Sequence, residues 1–374
     1  MSYEKILLNN SVRNVEIEQK KITLDSTPSY VTIGAHYGCN ASCVFCLGGD
    51  YPNFSLAKYK EFFEPKIGHV LKKAINVGFC GFGEILLHPE IGQILDYLSK
   101  TLPEQAKAFT TNGIMLNEAI CQKLTDGRYD VMISLHASNS VLHEKITRTK
   151  KFNDIVKNIE RLVELKKQKN SKISINMVFV ITQDNIDNLC DFIKFSKELG
   201  TDCVSANYLT MYEPGHVDMS VFWIKEKVNA VLADAETLRD KLAFSVNLPL
   251  KFKEYDKSDN IPCRDPWEFF YTEVQGSVNP CCLAGNHIGN LNNGGFEEIW
   301  NSEGYAVLRK GIVSGNIHTW CKNCLKYDKN NVNKLLSHIT FRPETQRLLL
   351  KYILDNNSKY NLKKEEIGII DFAL

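Results

Sequence analysis

The chain has 374 residues, 44% of them hydrophobic and 24% charged, a mixture typical of a folded protein long enough to bury a substantial core. Its 45 Lys and Arg against 44 Asp and Glu leave a formal net charge of +1, which gives no electrostatic footprint for nucleic acid or an anionic membrane surface. No window reaches the roughly 18 apolar residues of a membrane span, and the N-terminal stretch MSYEKILLNNSVRNVEIEQKKITLD carries charges where a signal peptide has its apolar core. The expected location is therefore cytoplasmic, with neither nucleic acid nor membrane as partner. Thiols there are kept reduced, so packing, metal or catalysis must account for the 12 cysteines.

Along the chain, residues 1–29 read as an N-terminal extension. From 30 to about 215, short apolar runs alternate with segments of helical periodicity. The expected strands are Tyr30–His36, Ile75–Cys80, Ala106–Thr111, Val131–His136, Lys172–Val180 and Asp202–Tyr208. Between them, stretches such as Phe152–Lys167 and Ile186–Leu199 place apolar residues at helical spacing. Six such alternations predict an α/β fold with a parallel sheet, open or partly closed into a barrel, and chemistry at the C-terminal strand ends. Cys39, Gly83–Glu84, Thr111–Asn112 and His136 fall at or just after those ends. Residues 216–262 read as a linker region, with one long helix over 217–243 and a polar, lysine-rich stretch after it. Residues 263–330 are dense in Gly, Asn, Cys and aromatics and read as a small second domain. Residues 331–374 form a tail with one helical stretch from Glu344.

Two cysteine groups carry the chemistry. Cys39, Cys43 and Cys46 form CxxxCxxC directly after the first strand. Three thiolates on one loop suit an iron–sulfur cubane with one iron left open to a chelating small molecule; structural zinc favours four protein ligands. With Phe45 before the last cysteine, this motif resembles the radical S-adenosylmethionine (radical SAM) superfamily. The resemblance implies a partial (β/α)6 TIM-like barrel and a [4Fe-4S] cluster on Cys39, Cys43 and Cys46. It also implies SAM at the open iron and reductive cleavage of SAM to a 5′-deoxyadenosyl radical that abstracts hydrogen from substrate. Carried over residue by residue, Gly81-Phe82-Gly83-Glu84 matches the motif that holds the SAM amino group, although Ile85 stands where the family's proline is usual. Ser134 and Arg148 match positions that contact SAM, Arg148 at its carboxylate, and Phe45 would lie near the adenine. Thr111-Asn112-Gly113 would shape the site, and His88 and His136 read as structural.

The later group, Cys263, Cys281, Cys282, Cys321 and Cys324, together with Gly289-Asn290-Leu291 and Glu298-Ile299-Trp300-Asn301, resembles the SPASM/twitch extension of these enzymes. Four thiolates, from Cys263, Cys281, Cys321 and Cys324, would close one auxiliary [4Fe-4S] cluster, with Cys282 an alternative to its neighbour and a zinc ribbon the other reading. Such a closed cluster would transfer electrons. The scattered Cys80, Cys121, Cys190 and Cys203 read as core. The expected activity is a radical SAM oxidoreductase with two [4Fe-4S] clusters. It would dehydrogenate a small hydroxylated molecule such as a sugar or aminocyclitol, since a four-cysteine twitch resembles the 2-deoxy-scyllo-inosamine dehydrogenases. The alternative is a peptide- or protein-modifying enzyme. A non-catalytic, metal-stabilised binding protein has no use for an open coordination site beside GFGE. Cluster reduction implies flavodoxin or ferredoxin as electron donor. Tyr208, Tyr212, Glu213 and Arg264 are the groups placed to handle a proton, and none is singled out as catalytic.

Overall fold

The computed structural model describes residues 3–35, 38–48, 53–252, 263–281 and 287–370. After an N-terminal helix, α1 (Tyr3–Glu18), six strands pair parallel in sequence order: β1 (Tyr30–Gly34), β2 (Asn76–Cys80), β3 (Ala106–Thr111), β4 (Tyr129–Ser134), β5 (Ser174–Ile181) and β6 (Cys203–Tyr208). The crossovers between them carry α2 (Glu64–Leu71), α3 (Ile91–Thr101), α4 (Glu118–Asp126), α5 (Ser140–Thr147), α6 (Phe152–Gln168) and α7 (Leu189–Glu198). This is the partial TIM-like barrel that the motifs implied. The expected strands lie within two residues of those observed where the ends are described; His36 lies outside the described residues.

The strands are not buried equally on both faces. Strand β5 alternates: Ile175, Met177, Phe179 and Ile181 are fully buried, and Ser174, Asn176, Val178 and Val180 between them only partly. Strand β4 shows the same period. Apolar side chains on one face pack under the helices, as in the fully buried Ile155, Ile159 and Leu162 of α6. The other face lines an interior that side chains do not fill, which is why polar residues such as Asn176 and Ser134 are tolerated there.

The segment after β6 also departs from a single long helix. A turn at Pro214–His216 and a 3-10 turn at Val221–Ile224, in which the Phe222 N–H donates to the Ser220 hydroxyl, precede α8 (Lys225–Leu242). Strand β7 (Ser245–Asn247) then extends the sheet beyond β6. On the opposite edge, α9 (Asp265–Glu268) leads into β8 (Phe269–Thr272), which pairs parallel to β1. Strands β9 (Ser277–Asn279) and β10 (Gly289–Asn290) fold back antiparallel, completing one ten-stranded sheet in the order β10-β9-β8-β1-β2-β3-β4-β5-β6-β7. Helices α10 (Phe296–Trp300), α11 (Glu303–Ser314) and α12 (Pro343–Asp355) follow.

The N-terminal extension is built into this edge. Residues 21–27 run between α1 and the cysteine-rich segment, and their backbone carbonyls accept from Trp267 (to Lys21), Arg309 (to Ile22) and Trp300 (to Ser26). The buried Glu16 carboxylate in turn accepts from the Asp25 and Ser26 N–H groups and the Ser26 hydroxyl. Of the four scattered cysteines only Cys121 is fully buried; Cys80, Cys190 and Cys203 are half-buried, and the last accepts from Ser245 and Asn247 across the β6–β7 edge.

Candidate active site

At the C-terminal ends of the strands lies an open cavity of about 670 Å³. Cys39, Cys43, Phe45, Cys46, Gly83, Glu84, Ser134 and Arg148 all line it, so the fold brings every residue singled out for the first cluster and SAM to one place. The cysteine loop is held from two sides. On one, the Asn112 side chain donates to Asn40 Oδ1 at 2.7 Å and reaches Cys39 Sγ at 3.9 Å, and the Glu84 N–H donates to the Gly38 carbonyl. On the other, the Val44 and Ser42 N–H groups donate to the carbonyls of Ile146 and Thr147 at the end of α5. Those last-turn carbonyls have no partner within the helix, so the loop satisfies them and is positioned in return. Arg148 follows in the left-handed conformation (φ 57°) that ends the helix, which brings its side chain to the cavity wall.

Glu84 is 1% exposed, and its carboxylate is engaged at three points by the chain. It accepts from the Thr111 hydroxyl (2.8 Å), the Asn112 N–H (2.6 Å) and the Leu86 N–H (3.0 Å). Burial pushes its pKa up and these three bonds oppose that shift. A carboxylate has about four lone-pair positions, so one remains for a cation in the cavity. Gly83 before it has φ 105°, a conformation that only glycine adopts freely, and the turn it makes carries Glu84 under the loop.

His136 is buried with φ 62°, and its Nδ1 accepts from the Val180 N–H, which leaves the proton on Nε2. Desolvation lowers its pKa to about 3, so the ring is neutral at physiological pH. It packs edge-on to Phe45 with ring centroids 5.1 Å apart, which fixes the aromatic of the cysteine motif. Among the groups considered for proton handling, Glu213 alone lines the cavity. The Tyr208 hydroxyl donates to Leu250 O, the Tyr212 ring faces His216, and Arg264 pairs with Glu268.

A second, narrower cavity is lined by Cys263, Cys281, Cys321 and Cys324, with Asp265, Pro266, Lys326 and Tyr327. Cys282 lies outside the described residues. Because β8 runs parallel to β1 with Phe269 opposite Tyr30, Cys263 and α9 sit at the N-terminal end of β1. Strand β9 returns antiparallel, so Cys281 arrives at the same end. The two cysteine sites thus occupy opposite ends of one sheet edge, separated along the five-residue β1 by roughly 13–16 Å of strand at ~3.3 Å per residue. Sequence spacing carried no sign of Asp265, Lys326 or Tyr327 at this site, since turns and not periodicity bring them in.

The donor sets fit anionic clusters. Desolvation, and then repulsion from the Cys46 and Cys39 thiols, pushes Cys43 up to about 12. Cys321 rises to about 12 by burial and the neighbouring Cys324, and Cys263 rises further. Thiols packed like this stay protonated until a cation is bound, and metal coordination deprotonates them outright.

Comparison with known proteins accords with this arrangement. The model of the radical SAM superfamily matches residues 35–193, and that of the SPASM iron–sulfur cluster-binding domain matches residues 263–325. The antilisterial bacteriocin subtilosin biosynthesis protein AlbA of Bacillus subtilis is 22% identical over 74% of the chain and 60% of its own length. A GTP 3′,8-cyclase of Clostridium perfringens is 26% identical over 56% of the chain and 66% of its own. The chain thus spans less than two thirds of either curated relative. In fold it resembles Streptococcus suis SuiB bound to precursor peptide SuiA (TM-score 0.59, 17% identity, 82% of this chain and 71% of that one). It likewise resembles anSMEcpe with bound AdoMet and Cp18Cys peptide (TM-score 0.57, 18% identity, 89% and 100%). Such domains imply [4Fe-4S] clusters and SAM. With three cysteines around the open cavity and four around the closed one, each inside its own family match, the chain carries a radical SAM domain followed by a C-terminal SPASM domain.

Proposed function

We propose that the protein is a radical SAM enzyme that modifies a peptide or protein. The observation that carries this reading is the match to AlbA, a bacteriocin biosynthesis protein, over 74% of the chain. The likeness in fold to SuiB with its precursor peptide and to anSMEcpe with a peptide supports it. It replaces the dehydrogenation of a sugar or aminocyclitol as the first choice, which rested on the count of late cysteines.

In this reading Cys39, Cys43 and Cys46 hold the radical cluster, which when bound supplies the electron that cleaves SAM to the hydrogen-abstracting 5′-deoxyadenosyl radical. Glu84 would accept a charge-assisted bond from the SAM ammonium through its remaining lone pair. Arg148 on the cavity wall would face the SAM carboxylate, Ser134 and the backbone at Gly83 would add polar contacts, and Phe45, braced by His136, would cover the adenine. Cys263, Cys281, Cys321 and Cys324 hold one auxiliary cluster, and flavodoxin or ferredoxin delivers the electron.

The test is anaerobic reconstitution with iron and sulfide, followed by incubation with SAM, dithionite and peptides encoded beside the gene. The expected result is a peptide mass change accompanied by 5′-deoxyadenosine. If a panel of sugars and aminocyclitols stimulates turnover and yields oxidised products while peptides do not, the dehydrogenase reading takes its place.

A further inference from the structure

The edge of the sheet at the second cysteine cavity contains a buried cation without a matching anion. Arg309, on α11, is completely buried. Its Nε donates to the Pro266 carbonyl at 2.9 Å, and its Nη1 donates to Ile22 O at 2.8 Å and to Asn301 Oδ1 at 3.3 Å. Nη2 is buried with no hydrogen-bond partner. The guanidinium lies over the rings of Trp300 (4.7 Å) and Tyr305 (5.0 Å). Among the described residues it has no carboxylate within ion-pair distance, whereas each of the other cations nearby has one. Lys326 pairs with Asp265 at 2.7 Å, Arg264 with Glu268 at 2.9 Å, and Arg13, whose Nε and Nη1 also have no hydrogen-bond partner, faces the same Glu268 at 4.0 Å. Glu16 is occupied by Lys21, Asp25 and Ser26. Burial lowers the Arg309 pKa to about 10, opposed by Tyr305 and Glu16, so it remains charged at neutral pH.

Carbonyls, an amide oxygen and two ring faces solvate this charge, and Glu16, which opposes its deprotonation through the field, already carries Lys21, so a buried cation of this kind is stabilised by a further anion nearby. The geometry names one. Pro266, whose carbonyl Arg309 holds, lines the four-cysteine cavity, as do Leu308 and Ile312 of the same helix. A four-thiolate [4Fe-4S] cluster carries a net charge of about −2 oxidised and about −3 reduced, and net charge is one determinant of its potential. We infer that Arg309 is the buried counter-charge of the auxiliary cluster and raises its reduction potential, so that this cluster accepts an electron more readily than an otherwise identical site. The inference rests on the four-cysteine cluster proposed above. Arg309 acts on the cluster through the field and ligates nothing.

The test is redox titration of the reconstituted full chain, monitored by electron paramagnetic resonance. The signal that changes on adding SAM belongs to the open cluster, and the one that does not belongs to the auxiliary cluster. Arg309→Gln, which removes the charge and keeps a hydrogen-bond donor, should lower the midpoint of the SAM-insensitive signal. The expected size is at least a tenfold change in the oxidised-to-reduced ratio at fixed poise, equivalent to about 59 mV for one electron. Arg309→Lys should restore most of it. Glu16→Gln leaves Arg309 in place and should move the midpoint the other way, which keeps the inference testable if Arg309→Gln fails to fold. An unchanged midpoint in Arg309→Gln, equal falls in Arg309→Gln and Arg309→Lys, or no rise in Glu16→Gln overturns the role of the buried charge. If the unsubstituted protein shows no SAM-insensitive signal, the four-cysteine cluster itself is overturned and the inference falls with it.

Discussion

The two cysteine sites are built by opposite strategies. The first takes three thiols from one short loop, leaves Cys39 and Cys46 exposed, and faces a wide cavity. The second gathers thiols from positions 263, 281, 321 and 324, buries Cys324, and closes around them with α9, α11 and a turn. An open site exchanges ligands, whereas a closed one exchanges electrons, because only the first leaves a coordination position and space beside it. The surrounding charges follow the same division. Glu84 and Arg148, of opposite charge, line the open site, which in the proposed reading takes a zwitterionic ligand, and the buried Arg309 near the closed site is the counter-charge we infer for an anion that never leaves.

The largest effect expected is from Cys43→Ala, which should abolish 5′-deoxyadenosine formation and lower iron from about eight to about four per chain, as loss of one of two four-iron cubanes requires. Persistent SAM cleavage in that variant would falsify the assignment of the open site. Cys321→Ala should lose the same share of iron yet still cleave SAM, uncoupled from product; full product formation would remove the second site from the reaction. Glu84→Gln retains the acceptor for Thr111 but loses the charge, and SAM binding should weaken by about 10–100-fold, the range for a hydrogen bond to a charged group. Unchanged SAM affinity, measured by equilibrium binding to the reconstituted protein, would make Glu84 only a brace between strands.

The smallest effect concerns pH. Burial holds His136 at about 3 and His338 at about 4, both below the ordinary histidine value near 6.5. The unfolded chain therefore binds protons that the folded chain does not, so stability is retained above about pH 6.5 and lost as pH falls toward those folded values. Thermal midpoints measured anaerobically between pH 8 and 5 should decline with acid, and His338→Gln should flatten that slope. An equally steep decline in the variant would place the acid sensitivity elsewhere.

Much of the open site could be read directly from the sequence because its parts are local and fall at strand ends: CxxxCxxC after β1, GFGE after β2, TNG after β3 and Ser134 closing β4. Parallel strands with regular crossovers place such ends side by side, so spacing along the chain becomes proximity in space. The role of Asn112 as a tie to the cysteine loop, the docking of that loop on α5, and the neutral tautomer of His136 were not legible, because each depends on a hydrogen bond between segments distant in the chain.

Fold class, the open cysteine site and the existence of a second cysteine group follow from periodicity and from short motifs whose residues are neighbours in the chain. That β8 joins the edge of β1 and carries the second group to the far end of the barrel emerges on folding. Folding likewise clasps residues 21–27 with Trp267, Trp300 and Arg309, and among the described residues it leaves this arginine with no carboxylate in ion-pair distance. The physical reason is that strand partners and buried charges are set by which distant surfaces exclude water together, and a one-dimensional pattern does not record that.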